Sequence, residues 1–293
     1  MALSIAPEPP GASAGGERMP ILRGGRPLKR WRYVGVFCEE LMACAALVQV
    51  GPARQSFWAM CTRADGRLRE RTRMLARRRA VALTPGRMRI RDGATLLDLT
   101  LGEDEGIQAR CAHGAGLRSG GGSRDGSKTL GAGEVWTRKQ AGVRAHGTLT
   151  LDGGPPRAIE ARAVIDDTVG YHARHTEWWW SAGVGTSEDG GPLAWNLVAG
   201  VNDPPRGSER AVWVDGEPSE TAPVRFAADL SEIVAEDGSR LSFAAESVRR
   251  RNENMLIVRS DYTAPFGAFS GTLPGGVALA SGLGVMEHHR AKW

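Results

Sequence analysis

From Leu28 onward, apolar residues come in runs of four to nine separated by Gly, Asp, Asn or Pro, as at 88–92, 96–101, 143–151 and 157–165. That rhythm predicts many short antiparallel strands joined by tight turns. Asp-Gly pairs at Asp65-Gly66, Asp92-Gly93, Asp152-Gly153, Asp189-Gly190, Asp215-Gly216 and Asp237-Gly238 supply hairpin chemistry, because both residues tolerate the positive φ such turns need. The alternation within runs is clean. Leu193, Trp195, Leu197, Ala199 and Val201 share one face and Ala194, Asn196 and Val198 the other, while Trp178, Trp180, Ala182 and Val184 fall on one side. Two such strands side by side are expected to set Trp178, Trp180 and Trp195 on a common surface. Segment 39–49 has a helix-forming composition, but the extended runs flanking it favour a turn followed by a strand.

A dozen or more strands in one flat sheet would expose long edges, so the pattern points to an all-β, antiparallel protein curled into a barrel or a pair of barrels. A barrel of about eight strands either fills with side chains or holds one small ligand. Residues 1–25, rich in Pro, Gly, Ala and Ser, are expected to form a disordered arm, and 114–133 a flexible loop. The remainder divides into one barrel-like half over 26–155 and a second over 156–293, which carries the candidate pocket.

Composition narrows the function classes. The 293 residues are 41% hydrophobic and 24% charged, ordinary for a globular protein, and no apolar run approaches the roughly 18 residues of a membrane-spanning helix. No stable membrane insertion is expected. Residues 1–91 hold 18 Arg and Lys against 6 Asp and Glu, leaving 20 against 27 for the rest. The densest basic cluster, 71–79, lacks interleaved aromatics for base stacking and any groove-reading motif, so nucleic acid is not an expected partner. Arg outnumbers Lys 34 to 4, which reads as compositional bias toward Arg at solvated positions. Cys38, Cys44, Cys61 and Cys111 form no C-x-x-C pair, and the first twenty residues lack the pattern of a secretory signal. Both suggest a reducing cytoplasm. No phosphate-binding glycine loop, serine nucleophile elbow or Cys–His pair is present, so no cofactor is expected.

Carboxylate, imidazole and indole are densest between Asp166 and Asn202. Asp166 and Asp167 read either as a proton-handling pair or as turn residues ahead of Gly170. Strand parity puts Asp167 on the face of Ile159, Ala163 and Ile165, and Asp166 with Glu160 and Arg162. His172, His175 and Glu177 lack the helical context of a metal site; His175 hydrogen-bonded to Glu177 on a cavity rim is the expected arrangement, with no metal. Trp178, Trp180, Trp195 and Asn196 are candidate pocket walls, and Trp213 and Trp293 packing anchors. Near the end, Glu287 and His289 share a face with Val285 and Trp293, placing a carboxyl and an imidazole on an apolar surface.

The elements 28–33, 136–139, Asp166-Asp167, 178–185, 195–198, 265–271 and 284–288 together resemble the uncharacterised family called domain of unknown function 2804, from about Gly24 to the end. More distantly, Gly147-x-Leu149, Asp152-Gly153, and 161–166 with Gly170 following, then a Trp-rich strand, are similar to the lipocalin-related carotenoid hydratase and tocopherol cyclase group. That resemblance implies two lipocalin-like (calycin-like) barrel halves packed together, an apolar pocket, and an alkene-protonating acid at the place of Asp166. Val164 stands where that group has a Tyr.

The reading that follows is an apolar small-molecule binder, for a lipid or isoprenoid, in a Trp-lined β-barrel pocket. The alternative is a cofactor-independent, acid-catalysed hydratase, cyclase or isomerase using Asp166 or Asp167, with Trp178, Trp180, Trp195, Asn196, His175, Glu177 and Glu287 around the ligand.

Overall fold

The computed structural model describes residues 19–74, 80–112, 130, 133–255 and 258–292, and within them every regular element is a β-strand. A small hairpin, β1 (Leu22–Arg23) and β2 (Arg26–Pro27), lies at the end of the stretch expected to be an arm. Positions 1–18, nearly all of the expected loop at 114–133, and Trp293 lie outside the described residues.

The first sheet holds β3 (Lys29–Phe37), β4 (Leu41–Val50), β5 (Ala53–Thr62), β6 (Arg67–Met74), β7 (Val81–Thr84), β8 (Arg87–Asp92), β9 (Thr95–Leu101), β10 (Ile107–Ala112), β11 (Glu134–Thr150) and β12 (Arg157–Gly170). Its order is β6-β5-β4-β3-β12-β11-β9-β8-β7, with β10 on the other end of β11. The second sheet holds β13 (His175–Ser187), β14 (Pro192–Ala199), β15 (Ala211–Val214), β16 (Glu217–Glu220), β17 (Val224–Phe226), β18 (Glu232–Ala235), β19 (Arg240–Met255), β20 (Val258–Leu273) and β21 (Val277–Lys292), in the order β16-β15-β14-β13-β21-β20-β19-β18-β17. All pairings are antiparallel, and each sheet curls into a half-barrel. The chain passes between sheets at 171–174, so β12 belongs to the first sheet, downstream of the division expected at 155/156. Segment 39–49 is the turn and strand that its flanks suggest.

The six Asp-Gly pairs named above all sit in hairpin links. Asp152 and Asp215 take φ of 52° and 53° beside Gly153 and Gly216, the left-handed geometry that a tight hairpin turn demands.

Period-2 alternation gives each central strand two buried faces. On β3, Val34 and Val36 join Leu83, Met88, Ile90, Leu97 and Leu99 in a core inside the first half-barrel. On β14, Leu193, Trp195 and Leu197 join Val212, Leu241, Phe269 and Met286 inside the second. The opposite faces of both sheets meet in one shared core, where Tyr33, Phe37, Cys44 and Val164 pack against Trp180, Val184, Trp213, Phe266 and Val285. This seam between the sheets is where the chemistry collects.

The expected common surface for three indoles is overturned by register. A two-residue Asp189-Gly190 turn would set Trp195 opposite Val184, on the face of Trp178 and Trp180. Instead Ser187 bonds Gly191, leaving a three-residue loop, and Trp195 lies opposite Gly183. One extra residue turns Trp195 to the other face. There it is fully buried, donates from Nε1 to Ser181 at 3.0 Å and packs edge-on to Phe269.

Gly183 makes room for that ring: a Cβ there would lie 2.3 Å from Trp195 Cζ2 and 2.6 Å from the Leu283 carbonyl oxygen. Gly183→Ala is expected to cost about 1–3 kcal/mol, as overpacking does. Urea unfolding measures it, and an unchanged midpoint would contradict this packing of Trp195 inside the second half-barrel.

Candidate functional site

Trp178 and Trp180 on β13, Glu287 and His289 on β21, and Tyr262 on β20 stand on the seam face of the second sheet. Lys29, Trp31 and Tyr33 of β3, Lys139 of β11 and Asp166 of β12 lie on the facing side of the first sheet. The alternation that buries apolar residues on both faces thus also buries these polar ones, and each needs a partner.

Glu287 is the centre of the cluster. It is 8% exposed, and Trp178 Nε1 donates to its Oε1 at 2.8 Å. Burial pushes its carboxyl up to about 7; the hydrogen bonds from Trp178 and Tyr262 pull down and the charge of Asp166 pushes further up. Burial also lifts the Tyr33 and Tyr262 hydroxyls well above their ordinary range, so both stay neutral donors. Tyr33 meets Trp180 edge-on at 5.3 Å, which brings first-sheet and second-sheet rings together beside the carboxyl.

His289 is held neutral: burial lowers it to about 3, with Lys29 contributing. Its Nε2 shares a 2.8 Å hydrogen bond with Ser260, and its ring lies 4.3 Å from Trp178. On the far side of Tyr262 the Arg249 guanidinium, 3% exposed, sits 4.1 Å from the Phe57 ring centroid and 4.9 Å from that of Tyr262. Its Nε is 2.9 Å from Glu70, and Nη2 donates to Thr72 at 3.1 Å, tying β19 to the edge strand of the other sheet.

Asp166 and Asp167 lie within β12, not in a turn, and point to opposite faces as parity required. They are therefore not one proton-sharing pair. Asp166 faces the seam, accepting from Trp31 Nε1 at 3.0 Å and Thr168 Oγ1 at 2.9 Å, with Lys139 Nζ at 2.5 Å. Lys139 also reaches Glu209 at 3.4 Å, on the segment after β14. Burial lowers the ammonium, but Asp166 and Glu209 more than offset it and hold it charged. Asp167, with no exposure, faces the first half-barrel between Arg32 and Arg138, taking bonds of 2.9–3.0 Å and 2.7 Å. Burial raises its carboxyl while the two guanidiniums oppose that.

Asn196 is on the seam and accepts from Trp180 Nε1 at 2.8 Å, a bond that fixes the indole plane. His175 and Glu177 instead line a separate cleft of about 620 Å³ at the end of the second sheet. Glu177 bonds His288 at 2.9 Å and Arg290 at 2.7 Å, so the expected His175–Glu177 pair is replaced by these two. Among the described residues, no group of three or more His, Cys, Asp and Glu could hold a metal, and no helix is long and apolar enough to cross a membrane. Arg71 and Arg73 of the basic cluster pair with Asp92; positions 75–79 lie outside the described residues.

Sequence reading missed Tyr33, Tyr262, Lys139, Glu209 and Arg249, whose local contexts are unremarkable strand or loop; only cross-sheet packing assembles them.

A carboxyl raised on folding binds its proton more tightly in the folded state. Glu287 thus stabilises fully below its unfolded value near 4.5, and that contribution is lost as pH rises through about 7. Wild-type protein is expected to lose on the order of 3 kcal/mol over this window relative to Glu287→Gln, which cannot titrate. Denaturant unfolding of both between pH 4.5 and 8 measures it, and parallel curves would contradict the assignment.

Comparison with solved structures places this architecture among known folds. A candidate AttH from Nitrosomonas europaea superposes with a TM-score of 0.54 at 13% identity, covering 92% of this chain and 99% of that one. Kievitone hydratase from Nectria haematococca gives 0.51 at 10% identity, covering 94% and 90%. At such identities the likeness is one of fold, the lipocalin-like pair of half-barrels. No curated protein matches the chain. Residues 134–293 match the family described as Domain of unknown function (DUF2804), and with more than half of its length inside that match the chain belongs to this family.

Proposed function

We propose that the protein binds an apolar small molecule in the seam between its two sheets and transfers a proton to it from Glu287, without a cofactor. The observation that carries this is a carboxyl buried among aromatic rings and poised near neutral pH. A general acid works best when its pKa lies near the operating pH. Burial of Glu287 and the nearby charge of Asp166 supply that condition, and Lys139, Trp31 and Thr168 hold Asp166 in place to do so.

The step begins with protonated Glu287. Its O–H bond breaks as the proton moves to one alkene carbon, leaving a carboxylate and a carbocation on the neighbouring carbon. Tyr33, Trp178 and Trp180 lie beside Glu287 in the seam, and aromatic ring faces stabilise a cation. Water then adds to the cation and releases a proton to the Glu287 carboxylate, so alkene and water become alcohol and the acid is restored. Loss of a different proton to the same carboxylate gives an isomer instead. The fold accommodates water addition elsewhere, since kievitone hydratase shares it, which is support by analogy alone.

This reading moves the acid from Asp166, which the sequence singled out, to Glu287. Asp166 is surrounded by donors and is better suited to shaping the field than to giving up a proton. Incubating the protein with isoprenoid alkenes in D₂O and following deuterium on carbon by mass spectrometry tests it. Label is expected with wild type and to fall at least about a hundredfold with Glu287→Gln. Equal labelling by the two proteins would refute the proposal.

A further inference from the structure

The seam opens at the end remote from Glu287 into a cleft of about 860 Å³ lined from both sheets. Its first-sheet wall carries Arg144 and Arg162, which stand directly opposite each other on β11 and β12. Like charges in that relation repel and destabilise a sheet unless an anion lies between them. Arg162 is half-buried, and among the described residues its Nη groups donate to backbone carbonyls of the other sheet, Leu193 at 3.3 Å and Gly185. Burial lowers its pKa. Arg144 makes no ion pair among the described residues.

Two of the three acids of the cleft are paired elsewhere: Glu39 is 2.9 Å from Arg63 and Glu40 is 3.2 Å from Arg157. Glu160, opposite His146 on the same cleft wall, forms no ion pair with either arginine. Two neighbouring guanidiniums that pair with no carboxylate among the described residues, one of them partly desolvated and fixed in orientation, form a fork suited to a two-oxygen anion. An apolar patch adjoins them: Phe37, Val184 and Leu283 belong to the shared core and line the same cleft.

We propose that this cleft takes a small molecule with an apolar body and an anionic oxygen head, a carboxylate or a phosphate. The head bridges Arg144 and Arg162, and the body lies against Phe37, Val184 and Leu283. The inference goes beyond the proton chemistry and stands without it, because no part of the cleft includes Glu287.

Calorimetric titration with decanoate, decyl phosphate and decanol at fixed ionic strength tests it. Arg144→Glu is the informative variant, since Arg144 is exposed, whereas replacing Arg162 also removes two bonds between the sheets. At least one of the two anions is expected to bind wild type and to bind Arg144→Glu roughly tenfold more weakly or worse. The preferred anion identifies the head group, and decanol is expected to respond equally in both proteins. Binding of neither anion to wild type, or unchanged binding to Arg144→Glu, would overturn the proposal. Glu287→Gln is expected to retain the binding, which separates a failure here from a failure of the proton-transfer reading.

Discussion

Each central strand of this protein is buried on both faces, one inside its own half-barrel and the other against the opposite sheet, and that double burial sets everything else. A strand with two apolar environments cannot present its polar side chains to water, so any it carries must be paired or neutralised. Within the half-barrels the problem is solved by filling with aliphatic and aromatic side chains. Asp167 is an exception, met by two arginines. In the seam the solution is a distributed set of indoles, phenols and carboxyls drawn from both sheets.

The seam concentrates two distinct electrostatic situations. Around Asp166, cation and anion alternate: Lys139 lies between Asp166 and Glu209 and joins the first sheet to the segment after β14. Around Glu287 the partners are neutral donors, Trp178 and Tyr262, which lower the carboxyl less than burial raises it. Burial and the nearby charge of Asp166 thereby raise the Glu287 carboxyl, the arrangement that lets a fold offer an acid at neutral pH. At the other end of the seam, two arginines face each other and form no ion pair among the described residues. A protonatable carboxyl and a pair of arginines thus stand at opposite ends of the interface.

The fold was largely legible in the chain because its signals are local. Period-2 alternation marked the strands, and Asp-Gly pairs marked hairpins at six positions. Faces within one strand were assigned correctly, as for Trp178 with Trp180 and for Asp166 against Asp167. Relations between strands were not, since they depend on loop length: a three-residue link at 188–190 in place of a two-residue turn moved Trp195 from the seam into the second half-barrel. The same limit hid most of the site. Tyr33 and Tyr262 are more than two hundred residues apart in sequence, and nothing near either one announces a partner. Glu287 was visible because a carboxyl on an apolar strand face is conspicuous, although its tie to Trp178 needed the register of β13 against β21.

The account stands on the state of one carboxyl in the folded protein. Carbon-13 NMR titration of selectively labelled glutamate, with Glu287 assigned by its absence in Glu287→Gln, reads that state directly. The account expects the Glu287 carboxyl to titrate near 7, with the Trp178 indole N–H resonance shifting in the same step. A midpoint in the ordinary glutamate range, about 4 to 4.5, would contradict it.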